Sequence, residues 1–114
     1  LGLSRELIGR GWQVVATHRG PAPELAATGA RLAVVDVDDD ASVAALAAAL
    51  AGERFDHVLI NAGIMGNRAD TAATISREAM AQLFWTNAIA PIRAARRLLS
   101  LVRDGGSIGF MTSV

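Results

Sequence analysis

Along the chain, short apolar runs alternate with longer stretches whose apolar positions recur every three or four residues. Residues 12–17, 31–37, 57–61 and 107–112 are rich in β-branched side chains, and each run follows a Gly, an Ala or a charged turn. That pattern predicts strands. The runs are apolar almost continuously rather than alternately, which suits a sheet covered on both faces and therefore a parallel one. Residues 3–10, 23–28, 41–50 and 76–102 read as helices. In the third, Val43, Leu46, Ala47 and Leu50 fall at i, i+3, i+4 and i+7. The run Asp38, Asp39, Asp40 ahead of them suits capping and the positive end of the helix dipole rather than a metal. In the long fourth helix, Met80, Leu83, Phe84, Asn87, Pro91, Ala94, Ala95, Leu98 and Val102 form one stripe. Arg93, Arg96, Arg97 and Arg103 flank it or lie near its C-terminal end and read as a solvated face matched to the dipole. Regular alternation of helix and strand implies βαβ units and a doubly wound α/β sheet, whose ligands bind where the strands stop.

Composition narrows this picture. The chain has 114 residues, 52% of them hydrophobic, which is enough for a single domain with a core. Basic and acidic residues balance at eleven each, removing the electrostatic footprint that nucleic acid or an anionic membrane would require. No apolar run is long enough to span a bilayer and the N-terminus lacks a signal-peptide layout, so a cytoplasmic protein is expected. Without Cys there is no thiolate chemistry, and two His far apart make a poor metal site, so no metal is expected. Every basic side chain is Arg, and the chain has neither Lys nor Tyr. It opens on Leu1 without a Met and stops at Val114 directly after an apolar run, and it reads as a piece of something longer.

The strand ends carry the candidate chemistry. The first run ends in Thr17, His18, Arg19 and Gly20. A carboxylate here would accept from the ribose hydroxyls of NAD, whereas the Arg19 guanidinium can pair with a 2′-phosphate as a fork, so Arg19 favours NADP over NAD, with a plain solvated Arg at a turn as the equal alternative. Asp36, followed by Val37, comes off the second run at the rim of the sheet, where a carboxylate can accept from an adenine amino group. Asn61, Ala62 and Gly63 end the third run, and their small side chains let a ligand approach the backbone. The loop at residues 64–74 could flank a cleft. Asn87 is the one polar residue on the apolar stripe and needs a partner. It either satisfies backbone groups freed by Pro91 or presents an amide to the site. The fourth run ends in Thr112, Ser113 and Val114, and Ser113 could donate to a substrate oxygen.

In this order and at these spacings, the residues resemble the short-chain dehydrogenase/reductase family over the whole length, and more loosely its carbonyl-reductase and C-factor-like members. Leu1, Gly2 and Leu3 look like the tail of the family's glycine-rich phosphate loop, with Gly2 its last glycine and Leu3 opening the first helix. Asp36 and Val37 resemble the adenine-contacting pair. Asn61, Ala62 and Gly63 are similar to the family's Asn-Asn-Ala-Gly motif, with Ile60 standing where its first Asn is usual. Asn87 and Ser113 resemble the Asn and Ser of the catalytic tetrad.

The resemblance implies part of a single NAD(P)-binding Rossmann domain, in three α/β/α layers, lacking the family's first strand and its C-terminal part. It implies reversible hydride transfer between NADP, or alternatively NAD, and a small carbonyl or alcohol substrate. Ser113 would hydrogen-bond the substrate oxygen and Asn87 would hold a water of the proton relay, while a Tyr acid tuned by a Lys would deliver the proton. With no Tyr and no Lys, the 114 residues alone are expected to be inactive. The missing strand would lie between the runs at 12–17 and 57–61, leaving two unpaired edges, so marginal stability and a tendency to associate are expected. A homo-oligomer through the long helix is implied for the full-length protein. Two other readings remain: a non-catalytic dinucleotide-binding or regulatory protein, and a different doubly wound domain such as a methyltransferase, which an acidic residue in place of His18 and Arg19 would have favoured.

Overall fold

The computed structural model describes residues 1–112, which gather into two compact units meeting in sequence at Asp36 and Val37. In the first, helix α1 (Gly2–Gly9) precedes strand β1 (Val15–His18), the short helix α2 (Pro23–Ala26) and strand β2 (Arg31–Val34). The strands pair in parallel, with Val15 opposite Arg31 and His18 opposite Val34. β1 starts three residues later than the apolar run predicts because residues 10–12 close α1. Gly11 takes a φ of 89° and donates to the carbonyl of Ile8, and Trp12 donates to that of Leu7. This is a Schellman cap, which only a residue tolerant of the left-handed region closes cheaply. β2 likewise stops at Val34 rather than Val37, although the Val35 N–H still donates to the His18 carbonyl at 2.9 Å.

The second unit runs from helix α3 (Asp40–Ala49) through strand β3 (Phe55–Ile60) and helix α4 (Arg77–Phe84). A π-helical turn (Trp85–Ile89), helix α5 (Ala90–Leu98) and a 3₁₀ turn (Leu99–Leu101) follow, and strand β4 (Val102–Phe110) completes it. β3 and β4 pair in parallel, and α5 packs against both strands and against α3. The apolar side chains buried here are Val43, Leu46, Leu50, Ile60, Ala90, Ala94, Leu98 and Leu101. Both sheets are two-stranded and parallel, giving the Rossmann-like α/β class that the patterning implies. Among the described residues no helix is long and apolar enough to cross a membrane.

The long helix departs from expectation in two ways. Its π-helical turn inserts a residue into the helical period, so the inward stripe becomes Thr86, Ala90, Pro91, Ala94 and Leu98, while Met80 and Phe84 are exposed at 50% and 62%. It also gives way at Leu99–Leu101, and Val102 already belongs to β4, five residues earlier than the predicted strand. The added segment is irregular. Phe55 pairs with Val102 but His57 with Ser107, so β4 carries extra residues between these rungs, and Gly105 adopts a φ of 77° to accommodate them.

Candidate functional site

β3 and β4 end side by side, and the Met111 N–H donates to the Ile60 carbonyl at 2.9 Å. Beyond them the chain opens a cleft of about 530 Å³ lined by Asn61, Ala62, Gly63, Ile64, Met65, Asn87, Met111 and Thr112. Parallel strands are expected to present ligands at this end. Four of the site residues expected from the sequence meet here: Asn61, Ala62, Gly63 and Asn87. Ser113 lies outside the described residues.

Asn87 is the centre of this arrangement. Its Oδ1 accepts from the Ile64 N–H at 2.8 Å and its Nδ2 donates to the Ile64 carbonyl at 2.9 Å. The partner it needs is therefore a loop peptide 23 residues away, not the helix backbone near Pro91, and the residue itself is exposed rather than buried. Pro91 still matters. With no N–H, it cannot give the Asn87 carbonyl the usual helical bond, and it follows the π-helical turn, in which the Ala90 N–H reaches back five residues to Trp85. Gly63 gives the same clamp room, since a β-carbon there would lie 3.2 Å from Asn87 Oδ1 and press on the amide.

The loop after Ile64 is held by its own short side chains. Asn67 Oδ1 accepts from the Ala69 N–H, Thr74 Oγ1 from the Thr71 N–H, and Ser76 caps α4 by accepting from the Ala79 N–H. The cap matches the helix start predicted at residue 76.

The acidic run before α3 divides its labour. Asp39 is the N-cap, accepting from the Ala41 N–H at 3.0 Å. Asp40 pairs with Arg97, whose Nε lies 3.1 Å from Oδ1, and with Arg93 at 3.7 Å. The Arg97 hydrogen bond, aided by the charges of Arg97 and Arg93, holds the Asp40 carboxyl below the usual carboxylate range. Two of the arginines read as a solvated face are thus partly engaged, and Arg93 also lies over the Trp85 ring, 5.4 Å from its centroid. Asp38 turns to α4 and the π-helical turn: its Oδ2 accepts from Gln82 Nε2 at 2.9 Å and Thr86 Oγ1 at 2.8 Å. Sequence reasoning missed Asp38 as anything beyond a cap, because both partners lie more than forty residues away.

In the first unit, Gly2 and Leu3 begin α1, and Arg19 follows β1 with its side chain exposed. His18 Nδ1 donates to the Gly20 carbonyl at 2.5 Å, which pins the turn that carries Arg19. Asp36 is exposed beyond β2, and Val37, half-buried, begins the second unit.

A family described as enoyl-(acyl carrier protein) reductase matches residues 1–114. Among solved structures, a short-chain dehydrogenase/reductase from Burkholderia multivorans with bound NADP is 33% identical, with a TM-score of 0.92. The match covers 98% of this chain and 52% of that one. A carbonyl reductase from Pseudomonas aeruginosa in complex with NADP is 40% identical, with a TM-score of 0.88 over 98% of this chain and 55% of that one. A short-chain alcohol dehydrogenase from Burkholderia multivorans is 34% identical, with a TM-score of 0.90, and is matched over 55% of its length. The chain thus spans about half the length of these structures, and no curated protein matches it. On the family match and these likenesses together, the chain belongs to the short-chain dehydrogenase/reductase family.

Proposed function

We propose that this chain is the cofactor-binding portion of an NADP-preferring oxidoreductase that interconverts a small carbonyl and the corresponding alcohol, and that its 114 residues form part of one NAD(P)-binding domain. The observation that carries the reading is the cleft at the ends of β3 and β4, where Asn87 and Gly63 meet over the Ile64 peptide. The solved carbonyl reductase and dehydrogenase with NADP support the cofactor choice.

In the first unit, Gly2 and Leu3 would direct the amides of α1 toward phosphate, Arg19 would pair with a 2′-phosphate, and Asp36 would accept from adenine. In the second, Val37 would flank the adenine, and Asn61, Ala62 and Gly63 would keep the backbone open to the nicotinamide end. NADP, when bound, supplies or accepts the hydride. Asn87 would order a water beside the reacting oxygen, and Ser113 would donate a hydrogen bond to that oxygen. The residues present fit such a ligand: Ala62 and Gly63 leave the backbone open on one side of the cleft, Ile64, Met65 and Met111 give it apolar walls, and the backbone-anchored amide of Asn87 stands beside them.

No Tyr and no Lys are present, so these residues bring no phenol and ammonium pair to move the proton. The chain alone should therefore show no carbonyl-dependent NADPH oxidation, and turnover by the purified chain would contradict this. A second reading, a dinucleotide-binding protein without catalysis, would hold if the full-length protein supplied no Tyr and Lys pair to the cleft.

The cofactor half is tested by calorimetric titration of the chain with NADP and with NAD. NADP should bind at least about tenfold more tightly, and Arg19→Ala should remove most of the difference, as expected for a lost charge-assisted hydrogen bond. Equal affinities, or no binding of either, would overturn the proposal.

A further inference from the structure

Three side chains of α4 and the π-helical turn, Gln82, Trp85 and Thr86, converge on Asp38, on the loop leading into α3. Asp38 Oδ2 accepts from Thr86 Oγ1 at 2.8 Å and from Gln82 Nε2 at 2.9 Å, Gln82 Nε2 also reaches Thr86 Oγ1 at 2.8 Å, and Trp85 Nε1 lies 3.4 Å from the Asp38 carbonyl. Thr86 is only 3% exposed and is the one buried polar side chain among the described residues. A buried hydroxyl is costly unless it is hydrogen-bonded, so the Asp38 carboxylate fixes which way this turn of the helix faces.

The next residue is Asn87. Consecutive helical side chains point roughly 100° apart, so holding Thr86 toward Asp38 limits where Asn87 can point. Both residues sit in the π-helical turn, where Pro91 has already removed a helical hydrogen bond and the backbone is less determined by its own ladder.

We infer that Asp38 is a positioning residue for Asn87: through Thr86 and Gln82 its carboxylate sets the π-helical turn so that the Asn87 amide meets the Ile64 peptide at the cleft. The functional weight of this inference rests on the proposed place of Asn87 in the site, while the structural link stands on the hydrogen bonds alone.

The test uses the whole 114-residue chain without cofactor and reads two signals by ¹⁵N NMR: the exchange rate of the Ile64 amide and the side-chain Nδ2 resonances of Asn87. Thr86→Val keeps the shape and removes the hydroxyl. It should speed Ile64 exchange by at least about tenfold, the scale of one lost hydrogen bond, and move the Asn87 signals toward those of a free amide. Thr86→Ser restores the hydroxyl and should return both to near the wild-type values. The dispersed backbone amides of β3 and β4, outside this cluster, report whether each variant is folded. Should Thr86→Val fail to fold, Asp38→Asn decides: it keeps the volume but drops the charge, and should speed Ile64 exchange by about threefold. Unchanged Ile64 and Asn87 signals in a folded variant would overturn the inference, as would a Thr86→Ser chain as disturbed as Thr86→Val. A separate NADP titration of the wild-type chain tests the cofactor reading, and its failure would leave the link from Asp38 to Asn87 intact.

Discussion

The side-chain amide of Asn87 closes on both polar groups of the Ile64 residue, accepting from its N–H at 2.8 Å and donating to its carbonyl at 2.9 Å. An Asn side chain offers a peptide the same donor and acceptor that a neighbouring strand would, so one residue of the helix substitutes for strand pairing where β3 has ended. The loop leaving β3 is thereby held against the π-helical turn at the edge of the cleft.

Asn87→Ala would return two backbone groups of a half-buried residue to unpaired or solvent-paired states. The expected loss is about 1–2 kcal/mol in urea unfolding. Asn87→Asp retains an acceptor for the Ile64 N–H but sets a carboxylate oxygen against the Ile64 carbonyl, so it should be at least as destabilising as the Ala variant. Wild-type stability in Asn87→Ala would show that the clamp contributes nothing.

What could be read from the sequence follows the range of the interactions. The strands and the starts of the helices depend on neighbours, and β-branched runs, Ser76 ahead of α4 and Asp39 ahead of α3 signal them locally. The parallel class also follows from uninterrupted apolar runs. Asp38, Asp39 and Asp40 look alike in sequence because two of them are defined by partners far along the chain: Thr86 and Gln82 for one, Arg97 and Arg93 for the other. The π-helical turn has no local signature beyond Pro91, yet it decides that Met80 and Phe84 face outward, which a uniform 3.6-residue period cannot foresee. Asn87 was legible as a misplaced polar residue, while its partner was not.

Asp40 gives the chain an acid-sensitive link between α3 and α5. Its carboxyl is held below its ordinary value of 3.8, chiefly by the hydrogen bond from Arg97 and then by the charges of Arg97 and Arg93, with partial desolvation opposing. Because the folded value lies below the unfolded one, the stabilisation is fully present above the ordinary value and is lost as pH falls through the lowered one. Asp40→Asn should therefore flatten the acid limb of a stability profile below about pH 4 while leaving the rest unchanged in shape. In Arg97→Ala the Asp40 carboxyl carbon should titrate at higher pH by NMR, closer to the ordinary value. A midpoint unmoved by that substitution would show that Arg97 is not the cause.

Two adjacent glycines in β4 separate conformational from steric demands. A β-carbon on Gly106 would lie 2.7 Å from the Asp56 carbonyl oxygen and 2.9 Å from that of Arg103, and backbone atoms cannot turn aside. Gly105 has open space but a φ of 77°. Gly106→Ala should cost about 2–3 kcal/mol, on the scale of overpacking, and Gly105→Ala about 1 kcal/mol, the cost of one left-handed non-glycine residue. Thermal melts of the two variants would reverse this ranking only if the irregular segment between Val102 and Ser107 could shift its register.

The distribution of buried side chains implies unequal stability along the chain. Val35 is the one buried apolar residue of the first unit, whereas Val43, Leu46, Leu50, Ile60, Ala90, Ala94, Leu98 and Leu101 are buried in the second. Each large apolar side chain removed from water contributes roughly 1.5–3 kcal/mol, and that contribution must offset the entropy of ordering the backbone. The first unit has little with which to do so. Its β2 residue Val34 is 68% exposed, and each two-stranded sheet is too small to be stable by its own hydrogen bonds. Native-state hydrogen exchange should therefore protect the amides of Val58, Ile108 and Ala94 at least about tenfold more than those of Ala16 and Leu32. Exposed strand edges, together with Phe84, Ile92 and Leu99 at more than 60% exposure, should also make sedimentation concentration-dependent. Uniform protection across both units, in a chain that sediments as a monomer and melts in one sharp transition, would contradict this division.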